Sequence, residues 1–371
     1  MPSGPEGLNV DATANSGPSR GGQAGHHGRN PPAGQRRERG GQAQTRGEEL
    51  TYGALDLGTN NCRLLVASPS AHGFKVVDAF SRIVRLGEGL GRHGRLNEAA
   101  MDRTIEALRV CSNKLKWHRV ARQRLVATEA CRLSANGAEF IARVAQETGL
   151  ELEIIDRETE AHLAAAGAEP LLASDARTAV VFDIGGGSTE VMWVQRSETG
   201  ADVLAWISLA AGVVTLSERH GGGRDVVPEK YDAMRDDVRR LLMPFVADVQ
   251  GLPDGGNGPD HLLGTSGTVT TIAGVHLGLR HYDRSRVDGC WLMSDEAERV
   301  TQHLRGLNYD DRAANGCIGR ERADLVLAGC AILDEIRAAF PGQRIRVADR
   351  GLREGILAQM MRADGHLGKR T

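Results

Sequence analysis

The stretch Thr178-Ala-Val-Val-Phe-Asp-Ile-Gly-Gly-Gly-Ser-Thr-Glu190 repeats an arrangement that occurs earlier in the chain. This repeat indicates the fold. An apolar run ends in an aspartate and a glycine, a short turn follows, and a second apolar run begins. Residues 52–67 have the same order, with Asp56 and Gly58 before the turn and Arg63 at the start of the second run. Each copy predicts a strand, a tight turn and an antiparallel strand. The repeat predicts two similar α/β domains that face each other across a cleft.

The segments that follow each copy alternate between predicted strands and helices. Apolar residues at helical spacing mark the helices, and Asn97 and Asp156 are candidate N-caps. In the first half we expect strands over 76–85, 125–128 and 152–155, and helices over 97–116, over 136–148 and from Asp156 onward. In the second half we expect a helix over 228–249, strands over 261–263 and 344–347, and a last helix from near Gly351. The predicted domains span residues 51–172 and 173–365.

Composition separates the first 50 residues from the rest of the 371-residue chain. They contain 11 of the 47 glycines and 5 of the 12 prolines, and they contain no aromatic residue. Such a segment cannot bury enough apolar surface to offset the entropy of ordering it. We therefore predict a disordered tail over residues 1–50.

Charge and hydropathy exclude two classes of protein. The 46 Lys and Arg nearly balance the 48 Asp and Glu, so the chain is not a generally basic DNA-binding protein. No apolar run approaches the ~18–20 residues that span a bilayer, so we expect no membrane partner. The six cysteines form no C-x-x-C pair and are typical of reduced thiols in a cytoplasmic protein.

Three glycine loops are candidate phosphate sites. Residues 183–190 are the strongest candidate, because three consecutive glycines between two buried strands cost backbone entropy that a plain turn does not require. Residues 56–61 form a weaker candidate, in which Gly58 allows close backbone approach to an anion and Asp56 can hold Mg²⁺. Residues 264–268 join a strand to a helix N-terminus, where an anion is also stabilised.

Taken together, the motifs resemble one family. Two D-x-G loops in repeated domains look like the actin, hexokinase and Hsp70-type ATPase superfamily, whose domains are ribonuclease H-like. Within it, the chain resembles the exopolyphosphatase and guanosine pentaphosphate phosphohydrolase (Ppx/GppA) family over residues ~52–360. The motifs that carry the resemblance are Asp56-Leu-Gly-Thr-Asn60, Ala127-Thr-Glu-Ala-Cys-Arg132, Asp183-Ile-Gly-Gly-Gly-Ser-Thr-Glu190, Gly264-Thr-Ser-Gly-Thr268, Arg322-Ala-Asp-Leu-Val-Leu-Ala-Gly329 and Gly351-Leu-Arg-Glu-Gly355.

The resemblance implies a role for each candidate residue. It places the general base at Glu160, with Glu158 as the rival, and His162 stands where the family usually has an arginine. The catalytic set it implies is Glu160, Asp183 and Glu190, with Mg²⁺ held by Asp56, Asp183 and Glu190. The phosphate groups would be bound by Gly58, Thr59, Asn60, Asn61, Arg63, Arg132, Gly185, Gly186, Gly187, Ser188, Gly264 and Gly267.

The function implied is hydrolysis of the terminal phosphoanhydride of inorganic polyphosphate, of guanosine pentaphosphate (pppGpp), or of both. The base, the metal and the backbone donors are the parts that phosphoryl transfer to water needs. The resemblance also implies a homodimer. Two alternatives remain open on sequence alone: an ATP-dependent small-molecule kinase of the same superfamily, and a non-catalytic regulator that binds an alarmone.

Overall fold

The structure, a computed structural model, describes residues 50–71, 73–197, 200–252, 254–342 and 344–367. The tail predicted over residues 1–50 lies outside these ranges, except for Leu50. Within the described ranges, no helix combines the length and apolarity needed to cross a membrane. The described residues build two lobes, each organised around one mixed β-sheet.

The first lobe contains a five-stranded sheet in the order β3-β2-β1-β4-β5. β1 pairs antiparallel with β2, and β2 with β3, whereas β4 and β5 join in parallel. The elements are β1 (Tyr52–Leu57), β2 (Asn61–Ser70), β3 (Gly73–Ile83), α1 (Leu90–His93), α2 (Glu98–Trp117), β4 (Arg122–Ala127), α3 (Glu129–Leu133), α4 (Gly137–Thr148), β5 (Glu153–Ile154) and α5 (Arg157–Ala168).

The second lobe contains a six-stranded sheet in the order β10-β11-β9-β6-β7-β8. Its elements are β6 (Thr178–Ile184), β7 (Thr189–Ser197), β8 (Gly200–Leu209), α6 (Val213–Arg219), α7 (Pro228–Gln250), β9 (His261–Thr265), α8 (Ser266–His276), α9 (Arg284–Val287), β10 (Trp291–Met293), α10 (Ser294–Gly306), α11 (Tyr309–Ala314), α12 (Val326–Ala339) and β11 (Arg344–Ala348), followed by α13 (Leu352–Ala363).

The two sheets share one arrangement of five strands, to which the second sheet adds β10 antiparallel to β11, and this confirms the predicted α/β fold of two duplicated actin-like domains. In each sheet an antiparallel three-stranded meander continues into two parallel strands, so β1–β5 correspond to β6–β9 and β11. The predicted caps are also present, because the Asn97 side chain accepts from Ala100 N and the Asp156 side chain accepts from Thr159 N. β8 and β10, the two edge strands of the second sheet, were not predicted from the sequence.

The last helix, α13, connects the two lobes. Chain order placed it in the second predicted domain, yet its apolar face packs on β1 and β2 through Ile356, Leu357 and Met361. α13 also crosses α5 so closely that a Cβ on Gly355 would lie 1.9 Å from the Leu163 carbonyl oxygen. Only glycine allows that approach of two helix backbones. The helix that carries Glu160 is therefore fixed against the end of the chain.

Candidate active site

The two repeated segments form equivalent β-hairpins. In the first hairpin Asp56 on β1 pairs in register with Arg63 on β2. In the second hairpin Asp183 on β6 pairs in register with Glu190 on β7. Each aspartate is the penultimate residue of its strand, so both carboxylates lie beside a turn. The position opposite the aspartate carries an arginine in one hairpin and a glutamate in the other.

Both hairpin turns close with the same backbone hydrogen bond. The Gly58 N–H donates to the Asn61 carbonyl at 2.9 Å, and the Gly185 N–H donates to the Ser188 carbonyl at 3.0 Å. These two amides were predicted to contact phosphate, and in the structure each is engaged in closing its own turn. The remaining amides of the turns are the candidates for an anion.

The glycines of the second turn allow the first turn to pack against it. A Cβ on Gly186 would lie 3.1 Å from the Cβ of both Thr59 and Asn60, and one on Gly187 would lie 2.5 Å from Thr59 Oγ1. Gly187 also faces the Glu129 side chain, with Cγ 3.0 Å from the same hypothetical atom. Gly186 and Gly187 are therefore required by contact between the two turns, whereas a Cβ on Gly185 would lie 2.9 Å from the Ser188 carbonyl oxygen of its own turn.

Helix α6 orients the amides of the second turn. The Val213 N–H donates to the Gly185 carbonyl at 2.9 Å, and the Val214 N–H donates to the Gly186 carbonyl at 2.8 Å. In a planar trans peptide the carbonyl and the next N–H point in opposite directions. The N–H groups of Gly186 and Gly187 therefore point away from α6, and their direction is set before any ligand binds.

A cavity lies where the two turns meet, and it collects most of the predicted site residues. Gly264 and Arg132 do not line it. Gly264 lies in β9, where a Cβ would be 2.5 Å from Cζ of Phe182, so its glycine is explained by packing. The predicted residues that line the cavity are Asp56, Gly58, Thr59, Asn60, Asn61, Arg63, Glu160, Asp183, Gly185, Gly186, Gly187, Ser188, Glu190 and Gly267.

Three carboxylates of the cavity are held in environments that disfavour their charge. Burial raises the pKa of Asp183 to about 6 and that of Glu190 to about 7. The neighbouring charge of Asp183 adds to the shift of Glu190, and that of Asp56 adds to the shift of Asp183. Burial also raises the pKa of Asp56, which the Arg63 guanidinium partly opposes. Ionising these carboxylates in the protein alone is therefore costly.

Glu190 is oriented by two hydroxyl groups. Ser188 Oγ donates to Glu190 Oε1 at 2.7 Å, and Ser208 Oγ donates to the same oxygen at 3.0 Å. Ser208 lies on β8 in register with Glu190, so the strand that the sequence analysis missed supplies one of these donors.

Glu160 enters the cavity from the first turn of α5. Its Oε2 accepts a hydrogen bond from Arg132 Nη2 at 3.0 Å. Burial and the nearby charge of Glu190 raise the pKa of Glu160 well above its ordinary value, and Arg132 opposes that shift. Glu158 is exposed on the same helix and does not line the cavity.

Arg132 is engaged by protein groups. Its guanidinium donates to Glu129 through both Nε and Nη2, to the Ile155 carbonyl at 2.6 Å, and to Glu160. Glu129 in turn accepts from Arg157 Nη2 at 2.8 Å. In the structure Arg132 orients the Glu160 carboxylate, and its predicted contact with phosphate stays a prediction.

Two further arginines face the site, and the sequence analysis gave them no role. Arg322 lines both the first cavity and an adjoining cavity of about 540 Å³, as does Arg63, and Arg353 lines the second. Burial lowers the pKa of both Arg322 and Arg353, and the neighbouring charge of Arg63 lowers it further in each. Both arginines lie in motifs that carried the family resemblance, R-A-D-L and G-L-R-E-G, so the signal was present without an assigned chemistry.

The donor set fits a hydrated divalent cation better than a closed protein cage. No three His, Cys, Asp or Glu side chains of the described residues are placed to hold one ion together. Mg²⁺ keeps several waters and takes one or two carboxylates plus phosphate oxygens. Asp56 and Asp183 interact electrostatically, and the buried Oδ1 atoms of Asn60 and Asn61 have no hydrogen-bond partner in the described part of the chain. A cation with its water shell would satisfy these groups.

The chain is similar to one known family and to several solved structures. A model described as the Ppx/GppA phosphatase family matches residues 65–364. A crystal structure of the Aquifex aeolicus member of the Ppx/GppA family is 27% identical, with a TM-score of 0.71 over 86% of this chain and 99% of that one. A second Aquifex aeolicus structure, of a Ppx-GppA enzyme, is 28% identical, with a TM-score of 0.69 over 84% and 99%.

An exopolyphosphatase from Cytophaga hutchinsonii shares the fold. It is 23% identical and has a TM-score of 0.77, and the match covers 84% of this chain and 98% of that one. The matched chains are covered almost end to end, so the likeness extends over both lobes.

Proposed function

Because the chain belongs to the Ppx/GppA phosphatase family, we propose that it hydrolyses the terminal phosphoanhydride of inorganic polyphosphate, of pppGpp, or of both. The observation that carries the proposal is the placement of Glu160. A buried carboxylate with a raised pKa faces two phosphate-sized turns whose amides are already oriented. Hydrolysis of a phosphoanhydride requires a proton acceptor beside an anion site, and the position of Glu160 next to these turns supports that function.

Glu160 would accept the proton of the attacking water. A general base works best when its pKa lies near the working pH, and burial shifts Glu160 in that direction. Arg132 holds Oε2 of Glu160 by a 3.0 Å hydrogen bond, which limits the orientations of the carboxylate. The amides of Gly186 and Gly187 would donate to the oxygens of the terminal phosphoryl group, where charge develops.

Mg²⁺ completes the proposed site. Asp56 and Asp183 would hold it, directly or through water, with Glu190 in support. When bound, the ion neutralises charge on the phosphate oxygens. It would also favour the ionised forms of these carboxylates, whose pKa values burial raises in the protein alone.

The adjoining cavity supports a polyanionic substrate. Arg63 and Arg322 line both cavities, so a phosphate chain that leaves the first cavity would meet guanidinium groups at once. Arg353 extends this charge along the second cavity. Guanidinium binds phosphate oxygens bidentately, which suits a chain of repeated phosphoryl groups.

The test is phosphate release by the purified full chain with Mg²⁺ and, separately, long-chain polyphosphate, pppGpp or ATP. The Glu160→Gln variant keeps the shape of the side chain and removes the base. We expect its kcat to fall by ~10²–10⁴ on the active substrate, because that is the usual contribution of a positioned base. The matched control is Glu158→Gln, on the same helix turn but exposed, which should keep the wild-type kcat.

The outcomes separate the readings. Full activity of Glu160→Gln contradicts the assignment of the base, and loss of activity in Glu158→Gln instead moves that role to the rival. If neither polyphosphate nor pppGpp yields phosphate, the proposed function is wrong. Consumption of ATP only when a second acceptor is added would identify a kinase.

A further inference from the structure

The segment 84–89, which follows β3, supports the first hairpin turn from behind. The Asn60 carbonyl accepts from the N–H of Val84 at 2.9 Å and from that of Arg85 at 3.0 Å. The Thr59 carbonyl accepts from the Gly87 N–H at 2.9 Å. By the geometry of the trans peptide, the amide that follows Thr59 points away from this segment. The position of the first turn therefore depends on residues 84–89.

Arg85 links this segment to the second lobe. Its Nη1 donates to Asp324 Oδ2 and its Nη2 to Asp324 Oδ1, each at 3.1 Å, in a bidentate pair. Nη2 also donates to the Glu321 carbonyl at 3.0 Å. Gly89, at the other end of the segment, donates its N–H to Glu218 Oε1 on α6 at 2.9 Å. We call the Arg85 contacts with Asp324 and Glu321 the inter-lobe bridge.

The far end of the bridge carries residues of the cavity wall. Asp324 lies between Arg322 and Leu325, and both of these line the first cavity. The Asp324 carbonyl is itself held by Ser217 Oγ at 3.2 Å. The inter-lobe bridge thus joins the turn on one side of the cleft to the Arg322 segment on the other.

The backbone at Arg85 indicates that this geometry is imposed. Its φ is +50°, in the left-handed region that residues other than Gly, Asn and Asp rarely adopt. Here the left-handed conformation lets one residue use its N–H for Asn60 and its side chain for Asp324.

We propose that Arg85 is a positioning residue that sets the distance between the first phosphate turn and the Arg322 segment. The inference rests on the proposed function, because the two elements it aligns are proposed to contact the same substrate. Arg85 does not line the cavity and touches no proposed reacting group. It acts through the backbone of Asn60 and through Asp324.

The alternative is that the Arg85–Asp324 ion pair only stabilises the fold. The exposure of both side chains argues against this alternative. The Arg85 and Asp324 side chains are 33% and 29% exposed. A bidentate pair can stabilise a fold, but the access of both side chains to water screens this pair and limits its contribution to folding stability. Loss of the bridge should therefore change catalysis more than it changes the melting temperature.

The test variant is Arg85→Asn, because asparagine tolerates the left-handed conformation and cannot reach Asp324. We expect kcat to fall about tenfold or more, since small displacements of positioning groups have large effects on rate. KM should change by less than about threefold, because Arg63 and Arg353 remain to bind the substrate. Arg85→Lys keeps the charge without the bidentate geometry and should lie between Arg85→Asn and the wild type.

Asp324→Asn completes a double-mutant cycle. It should lower kcat as Arg85→Asn does, and the double variant should lose no more than either single variant. The matched control is Arg143→Asn on α4, whose guanidinium is 34% exposed and pairs with carboxylates on the outer surface. It should leave kcat unchanged.

Hydrogen exchange gives a readout that does not require activity. Arg85→Asn should speed amide exchange in peptides that cover residues 58–63 and 319–325, and Arg143→Asn should not. Wild-type kcat and unchanged exchange in Arg85→Asn would overturn the inference, as would a loss of activity that only follows a lowered melting temperature. If the wild-type protein releases no phosphate, the proposed function is wrong and exchange alone decides on the inter-lobe bridge.

Discussion

The two hairpins have the same backbone arrangement but carry different charges. Both place an aspartate next to the turn and close that turn with the same hydrogen bond. Opposite the aspartate, the first hairpin carries Arg63 and the second carries Glu190. In the first, an opposite charge lowers the cost of burying Asp56, while in the second Asp183 and Glu190 repel each other. The two hairpins therefore have the same backbone arrangement, and the residue opposite the aspartate gives each one a different charge.

The turns also differ in what they need from glycine. The first turn, Gly58-Thr-Asn-Asn61, has side chains that press on the second. The second turn, Gly185-Gly-Gly-Ser188, has none at the two central positions, because Thr59 and Asn60 occupy that space. One turn is a knob and the other is the hole that receives it.

The largest effect on activity is expected when the aspartate of each hairpin is neutralised in turn. We expect Asp56→Asn and Asp183→Asn each to lower kcat by ~10²–10³, the usual loss when one charge-stabilising group is removed. Both variants should also need more Mg²⁺ for half-maximal rate, because both turns are proposed to hold the ion. The measurement is phosphate release over a series of Mg²⁺ concentrations. The control is Asp364→Asn, whose carboxylate accepts hydrogen bonds from Tyr52 and Arg122 at the opposite end of β1 and β4 from the turn. A wild-type Mg²⁺ requirement in either variant would mean that only one hairpin binds the metal.

The knob-and-hole contact predicts a smaller, local effect. Gly187→Ala would place a Cβ 2.5 Å from Thr59 Oγ1, so one of the two turns must shift. We expect a loss of about 1–3 kcal/mol in unfolding free energy, as for other overpacked sites, together with lower activity. Urea unfolding measures the first and phosphate release the second.

The double variant Gly187→Ala/Thr59→Ala serves as the internal control. It removes the hydroxyl that the new Cβ would meet, so it should recover part of the stability lost in Gly187→Ala. No recovery would show that the glycine is needed for a reason other than the contact between turns.

The burial of Glu190 in the second hairpin predicts how stability changes with pH. Burial raises the pKa of Glu190 from 4.5 to about 7, so the folded protein binds its proton more tightly than the unfolded chain does. Stability contributed by the protonated form is present at low pH and is lost as pH rises from about 4.5 through 7. In EDTA, the unfolding free energy of the wild type should fall over this range by up to about 3 kcal/mol from this group.

Glu190→Gln should flatten that slope, since glutamine does not titrate. Urea unfolding at pH 5 and pH 8 in both proteins checks it. An equal dependence of the unfolding free energy on pH in the wild type and Glu190→Gln would show that the titration of Glu190 does not cause it.

Local signals predicted most of the fold. Asn97 and Asp156 cap their helices as expected, since an N-cap bond spans only three residues. The two hairpins and their glycine loops were visible because strand, turn and strand are neighbours in sequence. β8 was missed, and with it the Ser208 hydroxyl that holds Glu190.

Long-range contacts could not be predicted in the same way. The hydrogen bonds that Arg132 donates to Glu129 and Glu160 depend on where α5 lies relative to α3. That Arg322 would face the first turn depends on the approach of the two lobes. No periodicity encodes either distance.

The sequence alone was enough to predict the duplicated α/β domains, the family, and the glycine turns that line the cavity, because these follow from periodicity and from residues close together in the chain. The tertiary structure decided which charges meet. It packed one turn into the other, fixed α5 against α13, and joined the lobes through Arg85 and Asp324. Electrostatic interactions depend on distances between distant segments and on their burial, so the environment of Glu160 and Glu190 emerges only once the lobes are assembled.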